Sequence, residues 1–237
     1  GHLTEALPLF EYLYEKYSGS LNDAKTHGLA LGRLLQAMGS TGNLEAAREI
    51  FIRLRTRVAG GVANIPCDDK EIELALGRLL QIMGGRDNQM EALGIYTCLR
   101  ARAAGGQANT PCNDKGIELA LGIHLQHMGG LDNQKAALDI LTQLRTRAAG
   151  GQANTPCNDK VIELTLGRYL QTLGGGDNLQ KALEIFTRLR TRAAGGRADI
   201  PCDDKEIELA LGRYLQLMGG TENLRAALAI YTRLRTR

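Results

Sequence analysis

Apolar residues along this chain recur in two stripes of helical spacing within each repeating segment. In the segment that begins at Pro66, the first stripe follows the i, i+3, i+4, i+7 spacing of one helix face and comprises Ile72, Ala75, Leu76, Leu79, Leu80 and Met83. The second stripe comprises Ala92, Ile95, Tyr96, Leu99 and Ala103. A glycine pair, a helix-stopping signal, follows each stripe. Each segment is therefore predicted to be helix A, a tight turn, helix B and a connector.

The Pro-Cys segment that opens this unit returns with small changes at Pro111, Pro156 and Pro201, in steps of 45 residues. A fixed period of this size is typical of a repeat array in which each unit stacks on its neighbours. The sequence predicts one all-α array over residues 1–237, with an orphan helix B at 1–20 and five repeats at 21–65, 66–110, 111–155, 156–200 and 201–237. We interpret it as a fragment of a longer array.

Capping residues predict where the helices begin. Asp68 and Asp69 are the candidate caps of helix A, and Asp68 with Glu71 has the spacing of a capping box. Asn88 with Glu91 offers a second cap, for helix B. Across the chain, helix A is predicted to begin near Asn22, Asp68, Asn113, Asn158 and Asp203. Helix B is predicted to begin near Asn43, Asn88, Asn133, Asn178 and Asn223.

Small and large residues alternate across the two helices in a specific order, namely Leu76-Gly77, Leu80, Gly84, Ala92, Tyr96 and Leu99. This order resembles the tetratricopeptide repeat. Its small and aromatic positions recur at Gly32/Ala47/Phe51, Gly122/Ala137/Leu141, Gly167/Ala182/Phe186 and Gly212/Ala227/Tyr231. Extra turn residues and a longer connector depart from that family. The resemblance implies a right-handed α-solenoid of stacked antiparallel helix pairs, with close helix crossings at the small residues.

The resemblance also implies that helix A lines a concave groove. An arginine row then faces the groove and comprises Arg33, Arg78, Arg168 and Arg213, interrupted by Ile123. An unbroken glutamine row comprises Gln36, Gln81, Gln126, Gln171 and Gln216. Neighbouring positions that vary include His124, His127, Tyr169 and Tyr214. The two rows offer donors to a peptide backbone or to carboxylates, and the varying residues would select side chains. The alternative is that Arg and Gln are simply good helix formers on a solvated face.

Charge narrows the choice of partner. The formal net charge of +3 is small and disfavours a general polyanion binder. A second basic row lies at the ends of the B helices, as in Arg53-Leu54-Arg55-Thr56-Arg57, and ends at Arg237. Stabilisation by the helix macrodipole is sufficient to explain it. RNA binding is the alternative, although the chain has few aromatic residues to stack on bases. The family's carboxylate clamp is not expected, because the matching helix A positions carry no Asn.

Candidate chemistry is sparse. Cys67, Cys112, Cys157 and Cys202 share one repeat position, and equivalent points in stacked helices lie about 10 Å apart, too far for disulfides, which need about 7 Å. We expect small buried thiols beside capping Asp residues, in a reducing, cytoplasmic compartment. The absence of C-x-x-C disfavours zinc, and His124 with His127 is expected to be a surface pair. No metal or cofactor is expected.

Catalysis is also not expected. It needs unlike groups that meet at one point, whereas this chain repeats like groups along a line, such as Glu73, Glu118, Glu163 and Glu208. The expected function is a protein–protein interaction scaffold that holds an extended peptide or a partner helix in its groove. Two alternatives remain, an RNA-binding helical repeat and an architectural array that self-associates end to end through apolar terminal faces. No membrane partner is expected, because no long apolar run is present.

Overall fold

The computed structural model describes residues 2–62, 65–107, 110–152, 155–197 and 200–236, and these residues form α-helices with no strand. The helices are α1 His2–Tyr17, α2 Leu21–Met38, α3 Thr41–Val58, α4 Lys70–Met83, α5 Arg86–Ala103, α6 Lys115–Met128, α7 Leu131–Ala148, α8 Lys160–Leu173, α9 Gly176–Ala193, α10 Lys205–Met218 and α11 Thr221–Arg235. The all-α prediction is confirmed. No helix in these ranges is long and apolar enough to cross a membrane.

The chain divides into two compact units, Gly1–Met128 and Gly129–Arg237. In the first unit the helices α1 to α6 pack on one another in consecutive pairs. In the second unit the helices α7 to α11 do the same. The even-numbered helices are here called A helices. Within each unit, every A helix also contacts the next A helix, namely α2 with α4, α4 with α6 and α8 with α10. Within each unit's described residues, successive odd-numbered B helices make no such contact. Stacked helix pairs are therefore confirmed within each unit.

Aspartates cap the A helices from α4 onward, whereas Ser20 caps α2. The backbone of Asp69 is extended, and its carboxylate accepts hydrogen bonds from the N–H groups of Glu71 at 3.0 Å and Ile72 at 3.3 Å. Asp159 and Asp204 cap α8 and α10 in the same way. The helix start predicted near Asp68 is thus confirmed, and of the two candidate caps it is Asp69 whose side chain reaches the free N–H groups of the first turn.

Glycine pairs, rather than asparagines, begin most B helices. Gly84 and Gly85 have φ values of 67° and 80°, the left-handed region open to glycine, and α5 starts directly after them. Asn88 therefore lies inside the first turn, where its side-chain amide donates to the carbonyl of Gly84 at 2.8 Å. The predicted Asn88 cap is wrong. The asparagine instead closes the turn that the two glycines make.

A and B helices cross closely where a glycine of the A helix contacts an aromatic ring of the B helix. A Cβ atom added to Gly77 would lie 2.7 Å from Cε1 of Tyr96, and one added to Gly167 would lie 2.7 Å from Cε1 of Phe186. Both rings are fully buried. The predicted requirement for a small residue at the crossing is confirmed, because the ring occupies the space that a side chain at the glycine would need.

We expect Gly77→Ala to lower the free energy of unfolding by about 1–3 kcal/mol, because overpacking outweighs the better helix propensity of alanine. Gly94 in α5 has no atom within 4 Å of an added Cβ. Gly94→Ala should therefore raise the free energy of unfolding by up to about 1 kcal/mol. Urea unfolding followed by circular dichroism measures both. Equal effects of the two substitutions would contradict the close crossing.

Candidate functional site

Each unit has a cleft between two successive A helices, and the predicted Arg and Gln rows line both clefts. In the first unit a cleft of about 320 Å³ lies between α2 and α4, lined by Arg33, Gln36, Glu71, Leu74, Ala75 and Arg78. In the second unit a cleft of about 400 Å³ lies between α8 and α10, lined by Arg168, Gln171, Thr172, Ala210, Arg213 and Leu217. The structure therefore brings Arg and Gln side chains of neighbouring repeats together, as a shared A face in each unit.

Two members of the arginine row are engaged by glutamates of the next A helix. Arg33 Nη2 lies 3.0 Å from Glu71 Oε1, and the Arg33 hydrogen bond lowers the pKa of that carboxyl more than any other contact. Arg168 Nη2 lies 3.6 Å from Glu206 Oε1. Arg78 and Arg213 are exposed and make no ion pair with the described part of the chain. The arginine row thus alternates between paired and open guanidinium groups.

The glutamine row lies on the same side. Its first four members are half-buried, and Gln216 is exposed. The side-chain amide of Gln81 contacts Nδ1 of His127, which is exposed on the next A helix. Gln216 accepts a hydrogen bond from the hydroxyl of Tyr231 at 3.1 Å. Gln126 lies half-buried on α6. These amides remain candidates for contact with a partner.

Three of the four predicted selectivity residues are buried, which corrects the expectation that they face a partner. His124 is 0% exposed, Tyr169 is 1% exposed and Tyr214 is 3% exposed. His124 Nε2–H donates to the carbonyl of Gln89 at 2.8 Å, and the Tyr169 hydroxyl donates to the carbonyl of Gln134 at 2.7 Å. Burial lowers the pKa of His124, which keeps its ring neutral.

These three side chains serve the interior of their own units. The ring of His124 packs edge-on against Tyr96 with centroids 5.4 Å apart, and that of Tyr214 packs against Phe186 at 6.2 Å. His124 and Tyr169 each reach a carbonyl in the first turn of a B helix, 35 residues earlier in both cases. Variation at this position therefore reflects core packing, and it carries no information about a partner.

A buried carboxylate in the first turn of the A helices α4, α6, α8 and α10 is the site feature that the sequence interpretation missed. Glu73 is 1% exposed, and its Oε1 accepts from Arg55 Nε at 2.8 Å and from the backbone N–H of Cys67 at 2.7 Å. The same three-way contact recurs in the sets Arg100–Glu118–Cys112, Arg145–Glu163–Cys157 and Arg190–Glu208–Cys202. A glutamate between the buried residues Ile72 and Leu74 was the available signal, because a buried carboxylate needs a partner.

Arginines at the ends of the B helices are largely used within the protein. Arg188 and Arg233 each donate to the second oxygen of a buried glutamate at 2.5 Å. Arg57 donates to the carbonyls of Ser18 and Gly19, and Arg102 donates to that of Cys67. The macrodipole is therefore not the main reason for this basic row. Arg237, its last member, lies outside the described residues.

The cysteines are structural. All five are free. The four at the shared position are buried, and each thiol contacts the carbonyl of the capping aspartate two residues later at 3.7–3.8 Å. Burial raises the pKa of Cys67 to about 11. No group of three or more His, Cys, Asp or Glu side chains in the described ranges could hold a metal ion.

The chain matches no protein-family model, and comparison with curated proteins and with solved structures finds no match. The likeness to the tetratricopeptide repeat therefore rests on the residue pattern alone, and no residue role is carried over from a relative.

We expect Glu208→Gln to lower the free energy of unfolding by about 3–5 kcal/mol, because it leaves Arg190 and Arg233 without their buried anion. Glu206→Gln, two residues away on α10, removes the exposed ion pairs with Lys160 and Arg168. It should change the free energy of unfolding by less than about 1 kcal/mol. Urea unfolding of both variants at pH 7 tests this. Similar losses for the two would show that the buried carboxylate has no special role.

Thiol alkylation should distinguish Cys98 from the cysteines at the shared position. Cys98 is half-buried, whereas the other four are buried and their pKa values are raised by desolvation. Because the thiolate is the reacting form, iodoacetamide at pH 8 should modify one thiol quickly in the folded protein and all five after denaturation. Mass spectrometry counts the adducts. In Cys98→Ala the fast phase should disappear; its persistence would contradict the assignment.

Proposed function

We propose that this chain is a protein–protein interaction scaffold that binds an extended peptide along the A face of its units. The observation that carries the proposal is the pair of clefts, each lined by arginine and glutamine side chains from two successive A helices. Guanidinium and amide groups at regular steps suit a peptide, which presents a carbonyl oxygen at every residue. The predicted repeat resemblance supports the same face.

The distribution of charge favours a peptide over RNA. Most arginines at the B-helix ends already bond to buried glutamates or to carbonyls, so that row has little capacity left for phosphates. The A face combines the open groups Arg78 and Arg213 with neutral amides and with apolar side chains such as Leu74. Such a mixture is typical of a surface that binds protein rather than a polyanion.

The buried glutamates support a role without catalysis. Each is engaged by at least one arginine and by a backbone N–H group, which leaves it poorly suited to accept a proton from a substrate. The free cysteines are in keeping with a reducing compartment, and we propose that the protein works in the cytoplasm.

Blocking both clefts should abolish peptide binding. Twelve-residue peptides selected from a random display library on the intact chain would be labelled and measured by fluorescence anisotropy. We expect Gln36→Trp combined with Gln171→Trp to weaken binding at least about tenfold, because an indole fills each cleft. The control carries Thr97→Trp and Thr187→Trp, at exposed positions on B helices, and should bind as tightly as the original chain.

The opposite pattern, with loss only in the control, would place binding on the B helices and overturn the proposal. Tighter binding of a labelled 20-nucleotide oligouridine than of any selected peptide, with a steep dependence on salt, would favour the RNA alternative. Sedimentation at several concentrations, without peptide, separates both results from end-to-end self-association.

A further inference from the structure

Two of the four arginines of the A face pair with a glutamate of the next A helix, and Arg78 does not, although an A helix follows it. Arg33 pairs with Glu71, which lies 38 residues later and is the second residue of α4. Arg168 pairs with Glu206, which is separated by the same number of residues and is the second residue of α10. The second residue of α6, at the same distance from Arg78, is Gly116. Arg78 therefore lacks the carboxylate that the other interfaces provide.

One ion pair between α4 and α6 matches a pair between α2 and α4. Lys70 Nζ lies 2.7 Å from the capping carboxylate of Asp114, as Lys25 Nζ lies 2.6 Å from that of Asp69. Asp114 also accepts from the N–H of Gly116 at 2.9 Å. The N-terminal ends of the A helices are thus joined by the same lysine–aspartate pair at both interfaces. The glutamate that pairs with arginine beside this contact is absent at position 116.

We infer that a carboxylate of the bound peptide takes the place of the absent side chain at Gly116 and pairs with Arg78. This inference rests on the proposed function and names the chemistry of its ligand, an acidic peptide. The side chain of Arg78 borders the cleft of the first unit and has no ion-pair partner among the residues described. One turn further along α4, Gln81 contacts His127 near the C-terminal end of α6.

The contact is a modest one that contributes specificity. Arg78 is exposed, and exposed ion pairs contribute up to about fivefold in affinity. The effect is confined to the unpaired arginines, of which Arg78 lies in the first unit, because Arg33 and Arg168 are already occupied by their own glutamates. An acidic residue of the peptide is therefore favoured at Arg78. Beside the occupied arginines it increases the binding affinity less.

Gly116→Glu tests the inference, because it supplies the missing partner from within the protein. Its Cβ would meet Asp114 Oδ1 at 3.2 Å, and α4 and α10 accommodate glutamate behind the same aspartate cap. Affinity for the selected peptides should fall about fivefold. Val161→Glu is the matched control, since the residue 38 positions before it is Ile123 rather than arginine. It should leave the affinity unchanged.

A double-mutant cycle then identifies the partner group. Replacing the critical Asp or Glu of a peptide by its amide should weaken binding to the original chain about fivefold and binding to Arg78→Gln not at all. Peptides with free and amidated C-termini distinguish a side-chain carboxylate from a terminal one, and either result supports the inference. If the tryptophan variants abolish binding but these changes do not alter it, the inference fails while the proposed function stands. If the tryptophan variants also have no effect, both fail.

Discussion

The buried pairing of a glutamate with an arginine and a backbone N–H is the interaction on which each unit depends. Oε1 of Glu163, for example, accepts from Arg145 Nε and from the N–H of Cys157, both at 2.8 Å. The three groups belong to an A helix, to the B helix before it and to the connector between them. Because a carboxylate without partners is costly to bury, the contact determines how these three segments meet.

This use of charge inside the units also shapes their surface. Arginines that look like a basic stripe in the sequence are consumed by glutamates and by connector carbonyls. Lysine–aspartate pairs then join successive A helices near their N-termini. At Asp204 burial acts to raise the pKa, but Lys160 and the backbone N–H groups outweigh it and lower the pKa. These contacts of the Asp204 carboxylate therefore stabilise the fold at neutral pH. The stabilisation is lost as the pH falls through the lowered pKa of Asp204. On the A face, Arg78 and Arg213 are exposed and remain open to a partner.

Differences between near-identical repeats have two distinct origins. His124 and Tyr169 replace a leucine found at the same position of earlier repeats, and both keep their polar atoms satisfied by a B-helix carbonyl within the core. Gly116 stands where α4 and α10 have a glutamate with an exposed side chain. The first kind of change concerns packing. The second changes what the A face offers to a ligand.

The sequence by itself determined the helices, the tight turns and the close crossings, because periodicity, paired glycines and the Gly77–Tyr96 size match are local or nearly local signals. It also predicted that arginine and glutamine rows share one side. Only the tertiary structure decided which aspartate caps, which arginine is occupied and how deep Tyr169 lies. The arginine pairs and the depth of Tyr169 depend on groups 18 to 38 residues away, which helical periodicity within one segment does not report.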